Sequence, residues 1–130
     1  MLRRQLVAGI GIVLVAGCSG AMHQGGSTRP QENSSVIEAA ELKDAPYANL
    51  YDLIQARRPR WLQGRVYSGG RLATPEVFDG NRELGGTDAL RGISPASVQE
   101  VRYYEETSAQ AIFGPEHTNG VIQVRSRPSP

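Results

Sequence analysis

An uncharged apolar run near the start, Leu6 to Gly17, closes on the only cysteine of the chain, Cys18, and together they set the terms for whatever folds behind them. The run has 12 residues, short of the roughly 20 that an apolar helix needs to span a bilayer. Preceded by Arg3 and Arg4, it has the make-up of a signal-peptide core. Removing such a leader takes residues 1–17 out of the folded domain. A lone thiol also rules out an internal disulfide, so what remains must be held by packing alone.

The segment Leu14-Val15-Ala16-Gly17-Cys18 resembles the lipobox of bacterial lipoproteins. Small side chains at Ala16 and Gly17 fit a peptidase site, and the Cys18 thiol is the atom to be alkylated. The competing reading is an ordinary cleaved signal followed by a chance cysteine, which would leave a reactive free thiol in an exported protein. The resemblance implies lipidation at Cys18 by three acyl chains. Each buried methylene contributes about 0.8 kcal/mol and one chain holds only marginally, so three anchor firmly. Ser19, where lipoproteins kept in the inner membrane carry Asp, implies transfer to the periplasmic face of the outer membrane. The partner expected from this is outer-membrane lipid, reached through Cys18.

Ser19 to Ser35 is poor in large aliphatics and rich in Gly, Ser and Gln, so residues 18–35 read as a lipidated cysteine and tether. His23 lies there as a solvated side chain. Residues 36–127 remain for one small domain, with 128–130 as a tail and Arg127 grouped with it as frayed. Fifteen Gly and eight Pro predict many turns. Without Arg3 and Arg4 the chain carries 12 basic and 13 acidic residues, a net charge near −1. No overall field recruits nucleic acid or an anionic bilayer, and neither is expected as a partner.

Val36 to Lys43 is helix-permissive. Pro46 opens a firmer helix in which Tyr47, Leu50, Tyr51 and Ile54 share one face, with Leu53 at its border. Arg57, Arg58 and Pro59 end it, and Trp61 and Leu62 cap the core below. From Gly64 the pattern turns to strands. Arg65–Tyr67 precedes a Ser68-Gly69-Gly70 turn, and Glu76–Phe78 precedes an Asp79-Gly80-Asn81 turn. Gly85-Gly86 breaks the chain, Thr87 caps a short helix from Asp88 to Gly92, and Ser94-Pro95 starts another turn. Val98–Tyr104 is a strand with Val101 and Tyr103 on one side and Glu100, Arg102 and Tyr104 on the other. Thr107 or Ser108 caps a helix from Ala109 to Phe113, which Gly114 and Pro115 stop. Val121–Arg125 is the clearest strand. The 16 residues from Glu105 to Gly120 allow a parallel crossover or an antiparallel return. The fold class expected is α+β, a short mixed sheet with short helices.

Five stretches in this order carry a family resemblance: Val77-Phe78-Asp79-Gly80, Leu90-Arg91-Gly92-Ile93, Ser94-Pro95 through Val98 to Val101, Ser108-Ala109 to Gly114, and Asn119-Gly120-Val121-Ile122-Gln123-Val124. From Glu76 to Ser126 the chain resembles the plug domain of TonB-dependent outer-membrane receptors. The resemblance gives Asp79, Gly80, Ile93, Pro95, Val101, Gly114, Asn119, Gly120 and Val121 structural roles. Asp79-Gly80 supplies a turn, Gly114 a helix stop, and Asn119-Gly120 a reversal closed to β-branched residues. The chain departs from the family in having no barrel, no convincing energy-coupling box between Ser19 and Ser35, and polar Asn81-Arg82-Glu83 after the turn. The fold carries over; gated import by this chain alone does not.

No catalytic constellation stands out. Glu116 and His117 form the one acid–imidazole neighbour pair, and two ligands make a weak metal site. His117 reads as a solvated loop side chain, and Gly85-Gly86-Thr87 lacks the lysine and glycine pattern of a phosphate loop. Glu105-Glu106 reads as a solvated helix start. No cofactor, metal site or catalytic residue is assigned. The leading function is a non-enzymatic binding or assembly module at the outer membrane, docking an envelope protein or barrel partner or binding a ligand whose identity stays open. The alternatives are an inert remnant of a receptor plug and a small envelope enzyme using Glu116 and His117.

Overall fold

The computed structural model describes residues 35–129, so Cys18, His23 and the leader lie outside the described residues. The class is α+β, as the pattern predicts: short helices around a mixed five-stranded sheet. The strands are β1 (Val36–Glu38), β4 (Glu76–Asp79), β5 (Arg82–Gly86), β6 (Val98–Tyr104) and β7 (Val121–Ser126), in the spatial order β1-β6-β7-β4-β5. A separate hairpin joins β2 (Arg65–Val66) to β3 (Leu72–Ala73). The long connection resolves as an antiparallel return: β6 and β7 are neighbours, with Val101 opposite Val124 and Tyr104 opposite Val121. On its other edge β7 runs parallel to β4, with Val77 opposite Ile122.

The two-residue side-chain period of these strands divides the core. Val77, Val101, Ile122 and Val124 face a large cluster closed by helix α2 (Leu50–Arg57) and by Ile37, Trp61 and Leu90. Phe78 and Val121 face the opposite side and meet Ala109, Tyr104 and Phe113 beneath helix α3 (Glu106–Phe113). Tyr103 joins the large cluster and Tyr104 the small one, as alternation requires. Leu50, Leu53 and Ile54 are fully buried, each contributing about 1.5–3 kcal/mol of apolar burial.

Helix α2 starts later than its apolar spacing indicates. Asn49 is the N-cap: its Oδ1 accepts the Asp52 backbone N–H at 2.9 Å, and its Nδ2 donates to the Asp52 carboxylate at 2.9 Å. Pro46 and Tyr47 stand outside the helix, and Leu53 is central to the buried face rather than at its border. Pro59 ends the helix by barring helical backbone at Arg58, and the chain continues as a 3-10 turn over Pro59–Leu62.

Other expectations need correction. Val36–Glu38 is a strand, because β6 offers it an edge to pair with, and only Ala39–Lys43 is helical (α1). Gly85-Gly86 does not break the chain but ends β5, which pairs with β4 across a bulge. Thr87 opens its 3-10 turn rather than capping it; Gly86 holds the cap position. Neither Thr107 nor Ser108 caps α3, which begins at Glu106 with Glu105 before it. Arg127 is not frayed: its N–H donates to the Ser97 carbonyl at 2.9 Å and its Nε to the Val98 carbonyl at 3.1 Å.

Candidate functional site

The residues carrying the plug resemblance lie along the sheet and in the turns and caps around it. Asp79 and Gly80 form the β4–β5 turn, which is tied to β7 by three bonds. Gly80 N–H donates to the Val124 carbonyl at 2.9 Å, Gln123 Nε2 donates to the Gly80 carbonyl at 2.8 Å, and Ser126 Oγ donates to Asp79 Oδ1 at 3.1 Å. The Ile93 carbonyl accepts the Leu50 N–H at 2.9 Å, joining its loop to the start of α2. Pro95 is buried at the head of a 3-10 turn, Val101 sits at the centre of β6, and Gly114 holds the C-cap of α3. Asn119 Oδ1 accepts the Tyr67 hydroxyl at 2.6 Å, which fastens the hairpin to the loop before β7. Gly120 has φ +86°, and Val121 is fully buried next to it. These residues build a scaffold and are not gathered into a reactive group.

His117 is not solvated. It is 6% exposed, its Nδ1 is hydrogen-bonded to the Glu76 carboxylate, and its ring meets Phe78 edge-on at 5.4 Å between centroids. Glu116 Oε1 lies 3.6 Å from Nε2. The sequence hid this because Glu76 is 41 residues away and reaches the imidazole only when β4 pairs with β7. The ring is walled in by aromatics and pins the loop after α3 to the start of β4. Among the described residues no group of three or more His, Cys, Asp or Glu side chains is placed to hold a metal ion. Among them, too, no helix is long and apolar enough to cross a membrane. Glu106, expected in solvent at the start of α3, accepts a 2.6 Å ion pair from Arg65 of the hairpin.

Among the described residues, a cleft of about 660 Å³ opens between the end of α2 and the far half of β6. One wall is the run Arg57-Arg58-Pro59-Arg60-Trp61; the other is Arg102, Tyr103 and Tyr104. Trp61 stacks on Tyr103, with centroids 5.6 Å apart and rings inclined by 16°. The stacked pair lies on the α2 side of β6, and the Arg102 side chain leaves the opposite face of the strand, beside Glu100. Arg58 is buried: its Nη1 donates to the Arg57 carbonyl at 3.0 Å, and its Nη2 lies 3.8 Å from Glu41. Arg57 is also 3.8 Å from Glu41, while Arg102 donates to Glu100 at 3.2 Å. Burial pushes the Tyr103 phenol above its ordinary range; the nearby Arg65 charge opposes the rise and Glu105 adds to it. Ser35 also lines the cleft, and its carbonyl accepts the Tyr103 N–H at 2.8 Å.

Sequence reasoning missed the cleft. Arg57 and Arg58 are readable as a helix end, and Trp61 as a core cap, both true. The available signal was three arginines within four residues beside the only tryptophan. Compared with models of known protein families and with curated protein sequences, the chain matches none.

Proposed function

We propose that this chain is a lipid-anchored, non-enzymatic binding or assembly module of the bacterial envelope. In this reading Cys18 holds it at the periplasmic face of the outer membrane, and its domain has a receptor-plug-like architecture. The observation that carries binding is the open cleft lined by Arg57, Arg60, Arg102 and the Trp61–Tyr103 stack. An opening lined by arginine and aromatic residues suits recognition of a partner group better than chemistry on it. The order β6-β7-β4, with the Asp79-Gly80 turn tied to β7, is consistent with the plug resemblance and supports it. The enzyme alternative is the weaker one, because the His117 imidazole is enclosed by Phe78 and Phe113.

Metabolic labelling tests the anchor. Radiolabelled palmitate enters the wild-type protein, and Cys18→Ser abolishes labelling and releases the protein into the periplasmic fraction. Wild-type protein that never takes up palmitate removes the anchor. Crosslinking in intact envelopes followed by pull-down tests the module: a reproducible partner lost in Arg60→Glu supports it, and an identical profile for the two proteins counts against it.

A further inference from the structure

We propose that the face of the β2–β3 hairpin carrying Val66 and Leu72 is a docking surface for an anionic lipid bilayer. Among the described residues four large hydrophobic side chains are exposed, and three of them, Val66, Tyr67 and Leu72, belong to this hairpin. Val66 is 71% exposed and Leu72 63%. The two are directly opposite one another in the ladder, so they stand side by side on one face. Exposed apolar groups gathered in one place mark a contact surface, whereas single ones scattered over a domain do not. The other face of the hairpin is occupied. Arg65 and Tyr67 flank Val66 and leave the strand on the opposite side. There Arg65 donates to the Glu106 carboxylate of α3 at 2.6 Å, and the Tyr67 hydroxyl donates to Asn119 Oδ1 at 2.6 Å. Both bonds run back to the body of the domain, which turns the Val66–Leu72 face away from it. A two-stranded hairpin is marginal by itself, and β2 and β3 pair only with each other, so these bonds hold it in place. Its turn stands clear of the domain: a Cβ added at Gly69 or Gly70 would meet nothing within 4 Å.

Charge selects the partner. Between Asp52 and Glu76 the sequence holds five arginines and no carboxylate. Arg57 and Arg58 face Glu41, and Arg65 meets Glu106. Arg71 is exposed and forms no ion pair among the described residues. Its carbonyl accepts the Tyr67 N–H at 3.0 Å, which sets it across the hairpin from Tyr67 and next to Leu72 in the chain. A guanidinium on a long apolar stem reaches headgroup phosphates from the border of an apolar face. An uncharged apolar protein surface would match Val66 and Leu72 alone. An anionic bilayer interface matches the apolar pair and its cationic border together. The whole chain is close to neutral, so this attraction is local and acts over about a Debye length, roughly 8–10 Å at ordinary salt. The inference goes beyond the proposed function, because it needs no acyl chain.

The mature chain carrying Cys18→Ser, which bears no acyl chain, is cosedimented with phosphatidylglycerol vesicles and, separately, with phosphatidylcholine vesicles. Binding to the first that weakens as salt is raised, and none to the second, is expected. Val66→Ser and Leu72→Ser each lower the partition coefficient about tenfold. Arg71→Gln lowers it about fivefold, the loss of one cation beside an anionic surface. Ile112→Ser, which removes the fourth exposed hydrophobic side chain from α3, leaves it unchanged, and far-UV circular dichroism confirms that every variant is folded. In Leu72→Trp the emission is quenched by phosphatidylglycerol with brominated acyl chains, whereas the buried Trp61 of the parent chain is not quenched. No vesicle binding, equal binding to both lipids, or a loss in Ile112→Ser as large as in Leu72→Ser overturns the inference. So does a dimer in sedimentation equilibrium that Leu72→Ser abolishes without any vesicle binding, which gives the face to a second copy of the chain. Palmitate uptake by the wild type without vesicle binding by Cys18→Ser leaves the anchor standing and removes only the hairpin surface; vesicle binding without palmitate uptake does the reverse.

Discussion

Gly120 is where the architecture is most exposed to a single methyl group. It has φ +86°, a region in which an L-residue costs about 1–2 kcal/mol. An added Cβ would stand 2.7 Å from the Tyr104 carbonyl oxygen and 3.0 Å from the Tyr103 hydroxyl. Neither obstacle yields easily. Tyr104 is paired with Val121 in the β6–β7 ladder, and Tyr103 is stacked on Trp61. The Gly120 carbonyl also accepts the Glu76 N–H at 3.3 Å, so withdrawing the backbone would loosen the start of β4. Relieving a contact this close adds about 1–3 kcal/mol, as overpacking in a tight core does. Gly120→Ala should therefore destabilise the domain by about 3 kcal/mol in total. Gly80 supplies the control. Its φ is +60° and an added Cβ meets nothing within 4 Å, so Gly80→Ala costs the backbone term alone, about 1 kcal/mol. Both changes stiffen the unfolded chain alike, and that contribution cancels in the comparison. Urea unfolding of the two variants, followed by far-UV circular dichroism with a common m-value, measures the difference. Equal midpoints would mean that β6 and β7 do not approach at Gly120 as described.

Two further outcomes follow from the buried titratable groups. His117→Ala should cost about 2 kcal/mol, since it removes a buried ring and the partner of Glu76; a urea-midpoint change equivalent to less than about 0.5 kcal/mol would restore a solvated histidine. The raised Tyr103 pKa gives an alkaline dependence. Below the ordinary tyrosine value of 10.0 both states hold the proton and the stabilisation is complete. As pH climbs past it toward the native value, the unfolded chain ionises first and stability falls. Tyr103→Phe should flatten that decline in urea midpoints measured across the alkaline range, and an undiminished decline would assign it to other tyrosines.

Much of the scaffold was legible because local chemistry and tertiary packing agree there. Val98–Tyr104 and Val121–Arg125 are rich in β-branched and aromatic residues and bounded by turn signals, and both faces of the sheet they form are in fact covered. Asp79-Gly80 and Gly114 sit where the chain must turn or stop. The misreadings share one cause. Val36–Glu38 has little of its own to make it a strand, and becomes one only because β6 is there to pair with it. Arg82–Gly86 carries the glycines of a break, yet β4 holds it extended through a bulge. Pairing energy comes from residues tens of positions away, which a local window does not contain.

The same reasoning explains why the candidate site escaped a reading that placed β6 and β7 correctly. A net charge near −1 averages over the chain, whereas an anion responds to the few charges within a Debye length, about 8–10 Å at ordinary salt. Arg102 is 45 positions beyond Arg57 in sequence, and the two line one opening because α2 packs against β6. Alternation puts Tyr103 into the core beneath Trp61 and thereby sends Arg102 to the other side of the strand. Asn49 starts α2 and Pro59 ends it, which fixes the level at which Arg57, Arg58 and Arg60 meet the end of β6. A one-residue register slip of β6 against β7 would carry Arg102 to the face that Tyr103 now occupies while leaving composition, net charge and helix content untouched. The electrostatic character of this domain is thus a property of strand register, and charge counting cannot substitute for knowing which residues the ladder sets opposite one another.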